Sequence, residues 1–197
     1  MDVTGEMIKE LRERTSAGMM DCKKALVESS GNMDKAITFL RKKGLASAAK
    51  KSGRTTKEGV VCSYIHSNGR IGVMLEVNCE TDFVARNEKF QQLVKDIAMH
   101  IAAMNPHYVN DKEITDDIKE AELEIFRKQA EESGKPTNVI EKIVEGKYKK
   151  FCDEVCLLTQ HYVKNPEQTV HDYIKENIAI LGENISVRRF IRWQLGE

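Results

Sequence analysis

Glu80, Thr81, Asp82, Phe83, Val84, Ala85, Arg86 and Asn87 stand where the chain changes its hydrophobic period. Before them, Ile71, Val73, Leu75, Val77 and Cys79 alternate with Gly72, Met74, Glu76 and Asn78, the pattern of a strand with one buried face. After them, Phe90, Leu93, Val94, Ile97, Ala98, Ile101 and Ala102 recur at the i, i+3, i+4, i+7 spacing of one buried helix face. Thr81 or Asp82 can accept a hydrogen bond from the free N–H groups of a first helical turn, and Asp82 also opposes the helix dipole. Counting back seven residues from Phe90 lands on Phe83. Phe83 is therefore either the first core residue of that stripe or a ring with work elsewhere, and the spacing alone leaves both open.

Upstream, residues 60–66 form a second β-rich run, joined to the first through Ser67, Asn68 and Gly69. Asn-Gly at such a join is a strong hairpin signal. The first 44 or so residues read as three short helices. Thr4 caps the first, which turns Met7, Ile8 and Leu11 inward; the turn Arg14 to Gly18 leads to Met19, Met20 and a second helix carrying Cys22, Ala25 and Leu26. Asn32 caps the third, with Met33, Ala36, Ile37 and Leu40 as its stripe and Gly44 as its stop. So small a bundle buries little surface and needs support from a partner or from the rest of the chain. Residues 45–59, rich in Ala, Ser, Gly and Lys without an apolar period, read as a basic linker.

Downstream, Asn105 and Pro106 end the long helix, and Tyr108 and Val109 suggest a short edge strand. Thr115 opens a helix that stops by Gly134 and Pro136. Thr137 opens another, running to about Cys156, in which Gly146 suggests close packing. Thr169 and Asp172 precede a helix closed by Gly182. The alternating residues 185–195 form a last strand, which pairs either with the hairpin or with a second copy of the chain. The fold class is α+β, with residues 1–50 a three-helix domain and residues 51–197 a core of small antiparallel sheet packed with helices.

The chain carries 31 basic and 31 acidic side chains, and this balance disfavours broad attraction to nucleic acid. No apolar run is long enough to span a bilayer, and residues 1–4 lack the basic and apolar segments of a secretory signal, so the expected location is cytoplasmic. Cys22, Cys62, Cys79, Cys152 and Cys156 form no CxxC pair. Cys152 and Cys156, four apart on a helix, have no second pair of ligands to complete a metal site. Whether Cys62 and Cys79 face one another across the hairpin stays open. Neither a phosphate-binding Gly-rich loop nor a nucleophile, acid-base or metal constellation is present, so no enzyme, cofactor or metal is expected.

Several separated motifs, in order, make the chain resemble the elongation factor Ts family, the guanine nucleotide exchange factors of elongation factor Tu. They are Leu11 to Thr15 with Ala17 to Leu26, Glu80 to Asn87, Lys142 to Lys147, and Val187 to Arg192. The family commonly has Gly where Ser16 stands, and Pro and Phe where His161 and Tyr162 stand. The resemblance implies a short form whose headpiece is a ubiquitin-associated-like domain docking on the GTPase, with Arg12, Met19 and Met20 as docking residues. Met19 and Met20 alternatively belong to the bundle's own core. It also implies that Thr81, Asp82, Phe83 and Val84 form the exchange motif, which disturbs the GTPase's magnesium and phosphate site. The implied partners are elongation factor Tu, GDP-bound or nucleotide-free, and a second copy of the chain in a homodimer, with no membrane and no direct nucleic acid. A ribosome- or RNA-associated module, built on the linker and on Arg188, Arg189 and Arg192, is the rival reading.

Overall fold

The computed structural model describes residues 3–66, 68–132 and 134–197. Ser67, one of the hairpin-turn residues read from the sequence, lies outside them. The chain forms two compact units, the first built from the segments ending at Cys62 and from Glu76–Asp96 and Asp172–Arg188, the second from Ser63–Leu75, Ile97–His171 and Arg189–Glu197.

In the first unit, α1 (Gly5–Thr15), α2 (Met19–Glu28) and α3 (Met33–Lys51) close on a small core of Leu11, Cys22, Ala25, Leu26 and Ala36. The expected caps are made: the Thr4 hydroxyl accepts from Met7 N–H at 3.3 Å and Asn32 Oδ1 from Lys35 N–H at 2.9 Å. Ser16 ends α1 in the left-handed region, φ 54°, the conformation that the family's usual glycine adopts without a Cβ penalty. One boundary read from the sequence is wrong. Gly44 does not stop α3, which runs on to Lys51 through the stretch whose composition suggests a linker. The cause is tertiary: a Cβ on Gly44 would stand 3.0 Å from Ala179 Cβ on α8 (Val170–Leu181), so this glycine permits close helix packing. Arg41 on α3 also pairs with Glu176 on α8 at 3.4 Å. These contacts supply the support that so small a bundle requires.

The hairpin comprises β1 (Glu58–Ile65) and β2 (Ile71–Cys79), and β5 (Ile185–Gln194) adds to the far side of β2, giving the order β1-β2-β5. Of the two partners open to the terminal strand, it takes its own hairpin. Gly69 supplies the positive φ of the turn, 70°, and its N–H donates to His66 O at 2.7 Å. Gly59 is needed for approach: a Cβ there would run into the Val77 carbonyl oxygen. That register puts Gly59 beside Val77 and Asn78, so Cys79 does not face Cys62. Val73, Leu75, Val77 and Cys79 are buried, as their alternation predicts.

A single turn, α4 (Asp82–Ala85), then precedes α5 (Glu88–Met104), whose whole apolar stripe from Phe90 to Ala102 is buried. In the second unit, α6 (Asp116–Glu131) and α7 (Thr137–Val155) pack on one another, with the Phe126 and Phe151 rings edge to face and Lys119 over the Tyr148 ring. A Cβ added at Gly146 would meet nothing within 4 Å, which corrects the expectation of close packing there. Tyr108 makes an isolated parallel bridge to Cys156. A small ribbon of β3 (His161–Tyr162) and β4 (Asn165–Thr169) follows, hidden in the sequence by a polar run containing Pro166.

Candidate functional site

Thr81, Asp82, Phe83 and Val84, expected from the resemblance to form an exchange motif, occupy α4 and the residue before it. Thr81 is extended, φ −130° and ψ 154°, and its hydroxyl accepts from Val84 N–H at 3.4 Å, the geometry of an N-cap. The turn then ends at once. Arg86 N–H bonds back to Asp82 O, Asn87 N–H to Val84 O, and Asn87 Oδ1 accepts from Lys89 N–H at 2.9 Å to begin α5 separately. This restart breaks the phase of the stripe: Phe90 is 0% exposed and Phe83 is 79% exposed. The four residues therefore divide by direction. Thr81 caps, Val84 is buried and anchors the turn, while Asp82 and Phe83 project outward. The Asp82 carboxylate pairs with Arg86 at 2.9 Å, both side chains well exposed.

Behind the turn lies a hydrogen-bonded corner. Glu183 Oε2 accepts from Glu80 N–H at 3.1 Å and from Thr81 N–H at 3.0 Å, while its Oε1 accepts from the Thr81 hydroxyl at 2.6 Å. In return, Glu80 Oε1 accepts from Asn184 N–H at 2.6 Å and pairs with Arg54 at 3.4 Å. The buried Asn184 amide donates to Ser52 O at 3.3 Å and Arg54 O at 2.8 Å, just past the end of α3. Glu183 and Asn184 escape sequence reading because they follow a helix-closing glycine, where polar residues are ordinary.

In the headpiece, Arg12 is exposed in the last turn of α1, and Met19 and Met20 open α2 at 60% and 75% exposure. The methionines are thus surface residues, and the bundle's core is made by Cys22, Ala25 and Leu26 behind them.

None of the five cysteines forms a disulfide. Burial pushes the Cys156 thiol up to about 12 and, with the Glu183 charge adding to it, the Cys79 thiol up to about 11, which keeps both protonated and unreactive at neutral pH. Among the described residues no group of three or more His, Cys, Asp or Glu is placed to hold a metal ion. His100, fully buried, accepts at Nδ1 from Val163 N–H at 3.2 Å, so its Nε2–H donates to Gln160 Oε1 at 2.9 Å. Burial lowers its pKa, keeping the ring neutral. Gln160 in turn donates to Glu154 O at 2.6 Å. Among the described residues no helix is long and apolar enough to cross a membrane.

The capped turn thus presents one phenyl ring and one carboxylate to solvent. The model of the family "Elongation factor TS" matches residues 4–197. The chain belongs to the elongation factor Ts family. It is 59% identical over 197 residues to elongation factor Ts of Geobacter metallireducens, covering 100% of this chain and 91% of that protein. It is 57% identical over 197 residues to elongation factor Ts of Fervidobacterium nodosum, covering 100% of both. Similarity to elongation factor Ts of Carboxydothermus hydrogenoformans reaches 58% identity over 195 residues, or 99% of this chain and 90% of that one. As a member of that family, the chain is a factor of translation elongation in protein biosynthesis.

Proposed function

We propose that this chain is the guanine nucleotide exchange factor of elongation factor Tu, acting through Asp82 and Phe83. It binds the GDP form, disturbs the magnesium and phosphate contacts, promotes GDP release and is displaced when GTP binds. The observation that carries the reading is the 79% exposure of Phe83 on a turn that is capped at Thr81 and anchored by Val84. A large apolar ring held in water on a capped turn is ready to be buried in a partner. Burying one Phe side chain contributes about 1.5–3 kcal/mol, and each ~1.4 kcal/mol is about tenfold in an equilibrium. One ring can therefore weaken nucleotide binding by roughly 10- to 100-fold, and loss of magnesium coordination adds to that. Coupling is reciprocal, so GDP weakens the factor's grip by the same ratio and no covalent step is needed.

Residues 1–50 act as the docking module, separable in function from residues 51–197, with Arg12, Met19 and Met20 on its contact face. Methionine suits this role because its flexible side chain fits an irregular apolar patch. Replacing Met19 and Met20 together by Ser weakens binding to the GTPase and leaves the melting temperature within a degree or two of wild type. Homodimerisation is part of the same proposal. Ile65, Met74, Ile191, Trp193 and Leu195, all on or next to the strands of the second unit, are 45–65% exposed. This is apolar area that a second copy can cover. Light scattering at micromolar concentration should give twice the chain mass, and a monomer mass counts against it. The exchange reading itself is tested by GDP release from elongation factor Tu with and without this protein. Equal rates would overturn it.

A further inference from the structure

We propose that Glu183 is a positioning residue of the exchange turn: its carboxylate fixes the Thr81 cap and so the direction in which Asp82 and Phe83 project. This rests on the exchange reading above. Three donors from Glu80 and Thr81 converge on one carboxylate that lies far from them in sequence, at 3.1, 3.0 and 2.6 Å. The shortest of these sets the hydroxyl. With its proton committed to Glu183 Oε1, Thr81 Oγ keeps a lone pair for Val84 N–H, the bond that starts the turn. Glu183 therefore acts on the exchange residues through Thr81, without touching Phe83.

The carboxylate is itself held in place. Gly182 closes α8 in the left-handed conformation, φ 82°, and the next residue but one, Asn184, is buried and donates its N–H to Glu80 Oε1 at 2.6 Å. Glu80 N–H gives to Glu183 and Asn184 N–H gives to Glu80, so the two chain segments clasp one another reciprocally. Charge-assisted bonds of this kind are about twice as strong as neutral ones. A turn of only four residues, Asp82–Ala85, has no helical length to hold its own direction. Without the clasp, the ring samples several directions and must be ordered anew at each encounter.

Glu183→Ala removes both acceptor oxygens and with them all three hydrogen bonds. Glu183→Gln keeps the shape and one acceptor oxygen, and the Thr81 hydroxyl can rotate to accept from the new amide. The experiment measures GDP release from elongation factor Tu driven by wild type, Glu183→Ala, Glu183→Gln, Phe83→Ala and the Glu183→Ala/Phe83→Ala pair. Each is accompanied by a melting curve, the affinity for the GTPase, and amide hydrogen exchange over residues 80–85. The expected result is a maximal rate lowered about tenfold or more by Glu183→Ala. Affinity through the headpiece changes by less than about threefold. Glu183→Gln recovers most of the rate, and protection falls at residues 80–85 alone. In the Phe83→Ala background, Glu183→Ala has little further effect, because the ring it positions is gone; a merely structural loss would add in full. If wild type itself fails to speed GDP release, the exchange reading falls and this proposal with it. If wild type is active, wild-type rates in both Glu183 variants overturn the positioning role alone, as does full additivity with Phe83→Ala. Should Glu183→Ala not fold, Glu183→Asp decides, because it keeps the charge but draws the carboxylate back by one methylene from its three donors: unchanged rate and unchanged protection at residues 80–85 contradict the proposal, whereas a lowered rate with local loss of protection supports it.

Discussion

Phe83 and Phe90 are the same residue type, seven positions apart, and the structure uses them in opposite ways: one is 79% exposed, the other fully buried. Each follows a capping residue, Thr81 for the four-residue α4 and Asn87 for the seventeen-residue α5. The difference lies in length and phase. α5 is long enough to lay a continuous apolar face on the core, whereas α4 buries Val84 and Ala85 and has no further turn with which to bring Phe83 round. Seven-residue spacing predicts a shared face only while the helix is unbroken.

The contrast breaks most visibly at Phe90. Phe90→Ala leaves a cavity in the core and should cost about 3–5 kcal/mol in urea unfolding. A cost below about 1 kcal/mol would mean that the site collapses and that burial at α5 is not what holds this part of the chain.

A second test concerns the buried imidazole of His100. Its folded pKa is depressed by burial, while the unfolded chain titrates near about 6.5. As pH falls below that value the unfolded state takes up a proton first, so the stability is whole above about pH 6.5 and is lost as pH falls through the folded pKa. The unfolding free energy should therefore decline between about pH 6.5 and pH 5, and less steeply in His100→Gln. An identical slope in the variant would show that the ring titrates freely in the fold.

Much of this is legible in the sequence. The caps at Thr4, Asn32 and Thr81, the hairpin and the α5 stripe are local signals, and the structure makes each of them. What the sequence hides depends on distant neighbours. Gly44 looks like a helix stop unless one knows that Ala179 lies against it, and Glu183 looks like an ordinary surface residue unless Thr81 is beside it. Phe83 is ambiguous because a two-residue restart is invisible to periodicity. Ser16 and Gly146 show how backbone and surroundings override composition: the first is a non-glycine at φ 54°, the second a glycine in a helix with open space around it. Ser16→Gly and Gly146→Ala should each raise stability, by up to about 1 kcal/mol, in urea titrations of the single variants. A loss of stability in Gly146→Ala would show that its position is occupied in the assembled protein.

Phe83→Ala should have the smallest effect on stability, under about 0.5 kcal/mol, since its ring leaves little unfilled behind it. Its effect on function should be the opposite. The rate of GDP release from elongation factor Tu, measured with Phe83→Ala against wild type at matched folding and matched binding through the headpiece, tests the division between the two phenylalanines directly. Release slowed by roughly tenfold or more, with an unshifted melting curve, is the predicted result. Release at the wild-type rate, or a melting temperature lowered as far as that of Phe90→Ala, would contradict it.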